Sequence, residues 1–113
     1  MEKDYYVYML DCENGALYTG YTTDIDRRIR EHRGGSRRAK FTAGFRPVRV
    51  AACWRLSGTR SDALRVEAFI KAMSRAEKEA LVAKPGELCA LVANGLNVDA
   101  SVHPETDAMD ILE

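Results

Sequence analysis

The sequence predicts an α+β domain, a three-stranded antiparallel sheet flanked by helices in the order β-β-α-β-α-α. Three observations predict it. Residues 5–10, Tyr-Tyr-Val-Tyr-Met-Leu, are rich in aromatic and β-branched types, and Glu13-Asn14-Gly15 then supplies a turn signal suited to positive φ, so that residues 16–21 return as a partner strand. Pro47 opens a third strand over 48–56. Capped and periodic segments between and after these strands read as helices. At 113 residues and 12.6 kDa, with 46% hydrophobic and 30% charged residues, the chain fits one domain and is not of disordered composition.

The elements follow in order. Thr23 or Asp24 caps a helix over about 24–33 whose apolar positions are mainly Ile25 and Ile29. Arg28 and His32, four apart, share one of its faces. Gly34-Gly35 ends it, and residues 36–46 read as a basic loop. After the third strand, Gly58-Thr59 is a break and Ser61 is the expected cap of a helix over about 62–73. Ala63, Val66, Phe69, Ile70 and Met73 form its apolar stripe. Ser74-Arg75-Ala76-Glu77 fits a capping box and starts a short helix to about 83. Pro85-Gly86 punctuates, and 87–94 is a last helical piece ending at Gly95. Residues 96–113 are acidic, carry no period and are expected to form a loosely held tail.

A formal net charge of zero conceals an asymmetry. All 17 Lys and Arg lie in residues 1–84, together with 11 of the acids, whereas 85–113 hold the other six acids and no cation. Residues 27–60 are the most lopsided, with 11 basic side chains and Glu31 as the one acid. A basic block beside aromatics is the electrostatic footprint of a polyanion partner. Cys12, Cys53 and Cys89 are odd in number and widely spaced, which reads as reduced packing thiols and not as a disulfide framework or a zinc site. No apolar run approaches the ~20 residues that span a bilayer, and Met-Glu-Lys-Asp lacks the apolar core of a signal peptide. The expected setting is the cytoplasm.

Phosphodiester hydrolysis needs a hard cation on a carboxylate, a planar donor for crowded negative charge, and a group that handles the proton of water. Tyr8 and Tyr18 on the hairpin strands, Arg28 and His32 on the first helix, and Glu67 beside the apolar stripe of the second supply one candidate for each need. Taken singly they have simpler explanations. The tyrosines can be packing aromatics, Arg28 a solvated arginine, His32 a histidine at a helix C-terminus, and Glu67 an i,i+4 partner of Lys71.

Their order changes the balance. Tyr6-Val7-Tyr8, then Tyr18-Thr19-Gly20, Arg28, His32 and Glu67 together resemble the GIY-YIG nuclease superfamily, in particular its small stand-alone bacterial YhbQ-like group. Leu17-Tyr18-Thr19-Gly20, the helix from Asp24 to His32, Ala39-Lys40-Phe41-Thr42, Arg46-Pro47-Val48 and the helix from Ser61 to Lys71 all fit in sequence. The resemblance covers roughly residues 5–83. It implies a GIY-YIG-like nuclease domain over 1–84, with 85–113 as an acidic C-terminal extension and not an independent domain.

The resemblance further implies a metal-dependent DNA endonuclease, structure-selective or weakly specific, acting in DNA repair or processing. Tyr8 and Tyr18 would flank the scissile phosphate, with Tyr8 activating or orienting the water. Arg28 would stabilise the transition state, His32 orient or relay a proton, and Glu67 bind one divalent ion, Mg²⁺ or Mn²⁺. Arg27, Arg37, Arg38, Lys40, Phe41 and Arg46 are the candidate DNA-gripping residues, contacting phosphates without reading sequence. A monomer or weak dimer is expected. The alternative is a non-catalytic nucleic-acid-binding module with the same fold.

Overall fold

The structure, a computed structural model, describes residues 3–33, 47–96 and 101–105, with the backbone alone for His32 and Arg33. Strand β1 (Lys3–Cys12) and strand β2 (Leu17–Thr22) form the expected hairpin. Gly15 closes the turn at φ +83°, a region that other residues enter only under strain. The Asn14 side chain accepts from the Ala16 N–H at 3.0 Å, fixing the turn locally.

Helix α1 (Ile25–Arg33) follows, capped by Asp24, whose carboxylate accepts from the Arg27 N–H at 3.1 Å. Strand β3 (Pro47–Gly58) lies antiparallel to β1 on the side away from β2. Helices α2 (Arg60–Lys71), α3 (Arg75–Ala83) and α4 (Glu87–Gly95) come next, and strand β4 (Ser101–Pro104) closes the order β2-β1-β3-β4.

The period of β1 sorts its side chains into two cores. Tyr5, Val7 and Met9 pack with Ala63, Val66 and Ile70 of α2, Leu81 of α3, and Leu88 and Val92 of α4. Tyr8, Leu10 and Cys12 pack instead with Ile25 and Ile29 of α1 and with Val50 and Cys53 of β3. Trp54 is wholly buried, and its indole N–H donates to the Pro85 carbonyl at 2.8 Å, tying the sheet to the turn before α4.

Four details differ from the sequence reading. The sheet has four strands, because β4 pairs with the outer edge of β3, placing Val102 opposite Leu56. Val102 is buried and the Glu105 N–H donates to the Cys53 carbonyl at 2.7 Å, so this part of the acidic tail is docked, not loose. A four-residue strand is too short to show a period in sequence. Thr59, not Ser61, caps α2, through a capping box with Asp62. Cys89 is exposed, whereas Cys12 and Cys53 are buried, and all three thiols are free. The Ser74–Glu77 capping box forms as expected.

Docking of β4 is testable through Val102. Val102→Ala should lower the unfolding free energy by about 1–3 kcal/mol in urea denaturation, the scale of removing a buried branched side chain. A change under ~0.5 kcal/mol would mean that the strand adds nothing to the fold.

Candidate active site

Strand pairing puts Tyr8 of β1 opposite Gly20 of β2, and glycine is required there. A Cβ on Gly20 would lie 2.6 Å from the Tyr8 hydroxyl oxygen and 2.8 Å from Cζ, so the phenol lies across the bare backbone of β2. The phenol is wholly buried there, over the outer strand of the sheet. Arg28, one turn into α1, donates from Nε to that hydroxyl at 3.3 Å. Tyr18 stands on the same face of β2, its ring centroid 6.4 Å from that of Tyr8 at a tilt of 48°.

Glu67 arrives from α2, which packs against β2 and β1. Its carboxylate is close enough to act on the Tyr8 hydroxyl electrostatically, and its side chain is only 14% exposed. Lys71, one turn on, sits 3.5 Å from it. Four elements, β1, β2, α1 and α2, therefore bring Tyr8, Tyr18, Arg28 and Glu67 into one neighbourhood.

Burial raises the Tyr8 pKa above its ordinary value, and the Arg28 hydrogen bond only partly offsets this while Tyr18 and Glu67 reinforce it. Tyr8 is a neutral phenol at physiological pH. Its oxygen accepts from Arg28. Arg28 itself stays cationic: burial, the largest single effect, opposes its charge, but the hydrogen bond to Tyr8 and the electrostatics of Tyr8, Tyr18 and Glu31 together more than offset it and raise its pKa.

Glu67 is the carboxylate at this point that can hold a cation. Among the described residues no group of three or more His, Cys, Asp or Glu gathers as a metal cage. One carboxylate suits an ion such as Mg²⁺, which keeps several waters and takes the rest of its shell from phosphate oxygens. Glu67 already draws a cation: the half-exposed Lys71 ammonium lies 3.5 Å from it in an i,i+4 pair. Beside it, a cleft of about 270 Å³ lined by Tyr18, Thr19, Lys71 and Lys78 opens at the edge of β2. A larger apolar groove between α2, α3 and α4, bounded by Phe69, Met73, Leu81 and Leu91, contains none of the converging residues.

Residues 4–80, which span β2, α1, α2 and all of β1 but Lys3, fit the GIY-YIG catalytic domain. The chain belongs to the GIY-YIG family. This is a nuclease family whose members generally depend on a divalent metal. Similarity to individual proteins extends over most of the chain. It is 46% identical over 83 residues to UPF0213 protein BH0048 of Halalkalibacterium halodurans, covering 74% of this chain and 86% of that protein. It is 47% identical over 83 residues to UPF0213 protein NP_0776A of Natronomonas pharaonis, covering 74% of this chain and 95% of that one. The solution NMR structure of UPF0213 protein BH0048 from Bacillus halodurans aligns at 40% identity over 80% of this chain and 98% of that one, with a TM-score of 0.45.

Of the residues carried over from the GIY-YIG pattern, the structure brings together Tyr8, Tyr18, Arg28 and Glu67. His32 has a helical backbone in α1, and its side chain lies outside the described residues. Arg37, Arg38, Lys40, Phe41 and Arg46 also lie outside them. Arg27 is described: it is exposed on α1, 3.9 Å from Glu31, beside a second cleft. Lys3, Tyr21 and Arg60, which share that cleft, escaped the sequence reading because they are scattered over the chain. Among the described residues no helix is long and apolar enough to cross a membrane.

The dependence of the site on Gly20 is measurable without any substrate. Gly20→Ala should destabilise the protein by about 1–3 kcal/mol, the scale of overpacking. Tyr8→Phe removes the atom at the closest approach, so the double variant should be less destabilised than the two single changes sum to. Strict additivity would show that Tyr8 does not lie over Gly20.

Proposed function

We propose that this chain hydrolyses DNA phosphodiester bonds with one divalent ion, Mg²⁺ or Mn²⁺, held at Glu67. The observation that carries the reading is the buried Tyr8 hydroxyl held by Arg28, with the Tyr18 ring and the Glu67 carboxylate in its neighbourhood. Packing alone does not call for such an arrangement, since an apolar ring would fill the same space with no polar group to satisfy.

The reaction is an in-line attack of water on phosphorus. A new P–O bond forms from water, the bond to the leaving sugar oxygen breaks, that oxygen gains a proton, and water loses one. Tyr8, a neutral phenol, orients the water through its own O–H and oxygen instead of removing the proton as a phenolate. Arg28 aims its remaining N–H donors at the non-bridging oxygens, where charge accumulates in the transition state. Tyr18 bounds the other side of the phosphate. His32 takes the proton-relay role that the family resemblance assigns it. A divalent cation bound at Glu67 would neutralise phosphate oxygens and the departing alkoxide.

The basic stretch 27–60 supplies sequence-independent grip on DNA, which supports a role in DNA repair or processing with preference for structure over sequence. The cytoplasm is the setting that suits three free thiols.

Nicking of supercoiled plasmid and of a flapped duplex tests the reading. Wild type should cleave with Mg²⁺ or Mn²⁺ and not in EDTA. Glu67→Gln and Arg28→Ala should each lose about 10²–10³-fold in rate, the scale of removing one transition-state stabiliser, with Glu67→Gln still binding DNA. Cleavage by Glu67→Gln at the wild-type rate would refute the assignment. Salt-sensitive binding with no cleavage by wild type would identify a binding module instead.

A further inference from the structure

A second polar cleft, of about 380 Å³, opens between the start of β1, the end of β2, α1 and the start of α2. Four cations line it, Lys3, Arg27, Arg28 and Arg60, against one carboxylate, Glu31. Tyr5 and Tyr21 form its shelf, their ring centroids 6.5 Å apart on neighbouring strands. Each tyrosine places a cation. The Arg60 Nε donates to the Tyr21 hydroxyl at 3.1 Å, and the Lys3 ammonium stands 5.6 Å from the centroid of the Tyr5 ring.

Arg28 joins this cleft to the catalytic cluster. The same guanidinium that donates to Tyr8 also lines the cleft wall. Whatever occupies the cleft therefore lies one arginine side chain from the reacting group. Glu31 stands 3.9 Å from both Arg27 and Arg28, which leaves the cleft with a net positive lining that favours an anion. The volume is that of a small-ligand site, sufficient for a phosphodiester with part of its sugar.

We propose that this cleft grips a backbone phosphate of the DNA strand being cut, next to the scissile phosphate, through Lys3, Arg27 and Arg60. The inference rests on the nuclease reading and deepens it. Arg28 would then span two consecutive phosphates, setting the register of the strand over Tyr8. The grip is on the backbone, so it adds affinity and position and carries no sequence information.

The test uses the full chain carrying Glu67→Gln, so that DNA stays intact. Fluorescence anisotropy with a labelled flapped duplex is followed between about 50 and 200 mM salt, a range over which phosphate binding changes steeply. Arg60→Met and Lys3→Met are added singly and together; both side chains are exposed, so neither change opens the core. Binding should weaken several-fold on each of two unrelated DNA sequences, and the slope of log K against log salt should fall by about 1 for each cation removed. Arg60→Lys should restore most of both. A doubly substituted chain with unchanged affinity and slope would overturn the subsite and leave the nuclease reading standing. Absence of any salt-sensitive DNA binding by the Glu67→Gln parent would overturn both.

Discussion

The site depends on one contact, the Tyr8 phenol lying across the backbone of Gly20. With any side chain at position 20, an atom would stand within 2.6 Å of the Tyr8 hydroxyl. With none, the phenol of a tyrosine on an inner strand lies over the neighbouring strand. There Arg28 reaches it from α1 and Glu67 approaches from α2, although these helices pack against different sets of β1 side chains. Tyr8 belongs to the core under α1, and Glu67 comes from the helix over the other core.

Burial sets the chemistry of that oxygen. A phenol kept from water holds its proton more tightly, and one hydrogen bond from a guanidinium does not reverse this. The same burial restrains the ring, so the hydroxyl is held in place before any substrate arrives. Preorganised donors of this kind cost no reorganisation during reaction. Glu67 contrasts with it: its partner Lys71 is half exposed. Under the proposed reading the phenol positions and the carboxylate holds the metal ion.

Much of this was legible in the sequence, for local reasons. The hairpin follows from an aromatic strand and a Gly15 turn, and α3 from a capping box written within four residues. Tyr8, Tyr18, Arg28 and Glu67 were visible because their spacing follows a family pattern. The role of Gly20 was not, since it lies in strand register and not in order along the chain. Strand β4 escaped because four residues in an acidic segment show no period; what holds them is the open edge of β3 and the burial of Val102. The cap of α2 was misplaced by two residues because Thr59 and Ser61 are both good caps, and Asp62 decides between them by completing a box with Thr59. The cleft of Lys3 and Arg60 has no local signature, being assembled from residues 57 positions apart.

The central claim is that the Tyr8 hydroxyl, not its ring, organises the reaction. Single-turnover cleavage by Tyr8→Phe tests it most directly, because phenylalanine keeps the packing over Gly20 and removes only the oxygen that Arg28 holds. The account predicts a fall of about 10²-fold or more in the cleavage step, with DNA affinity and thermal stability near those of wild type. Cleavage within a few-fold of wild type would contradict it, reducing Tyr8 to a packing residue and leaving the chemistry to Arg28 and Glu67.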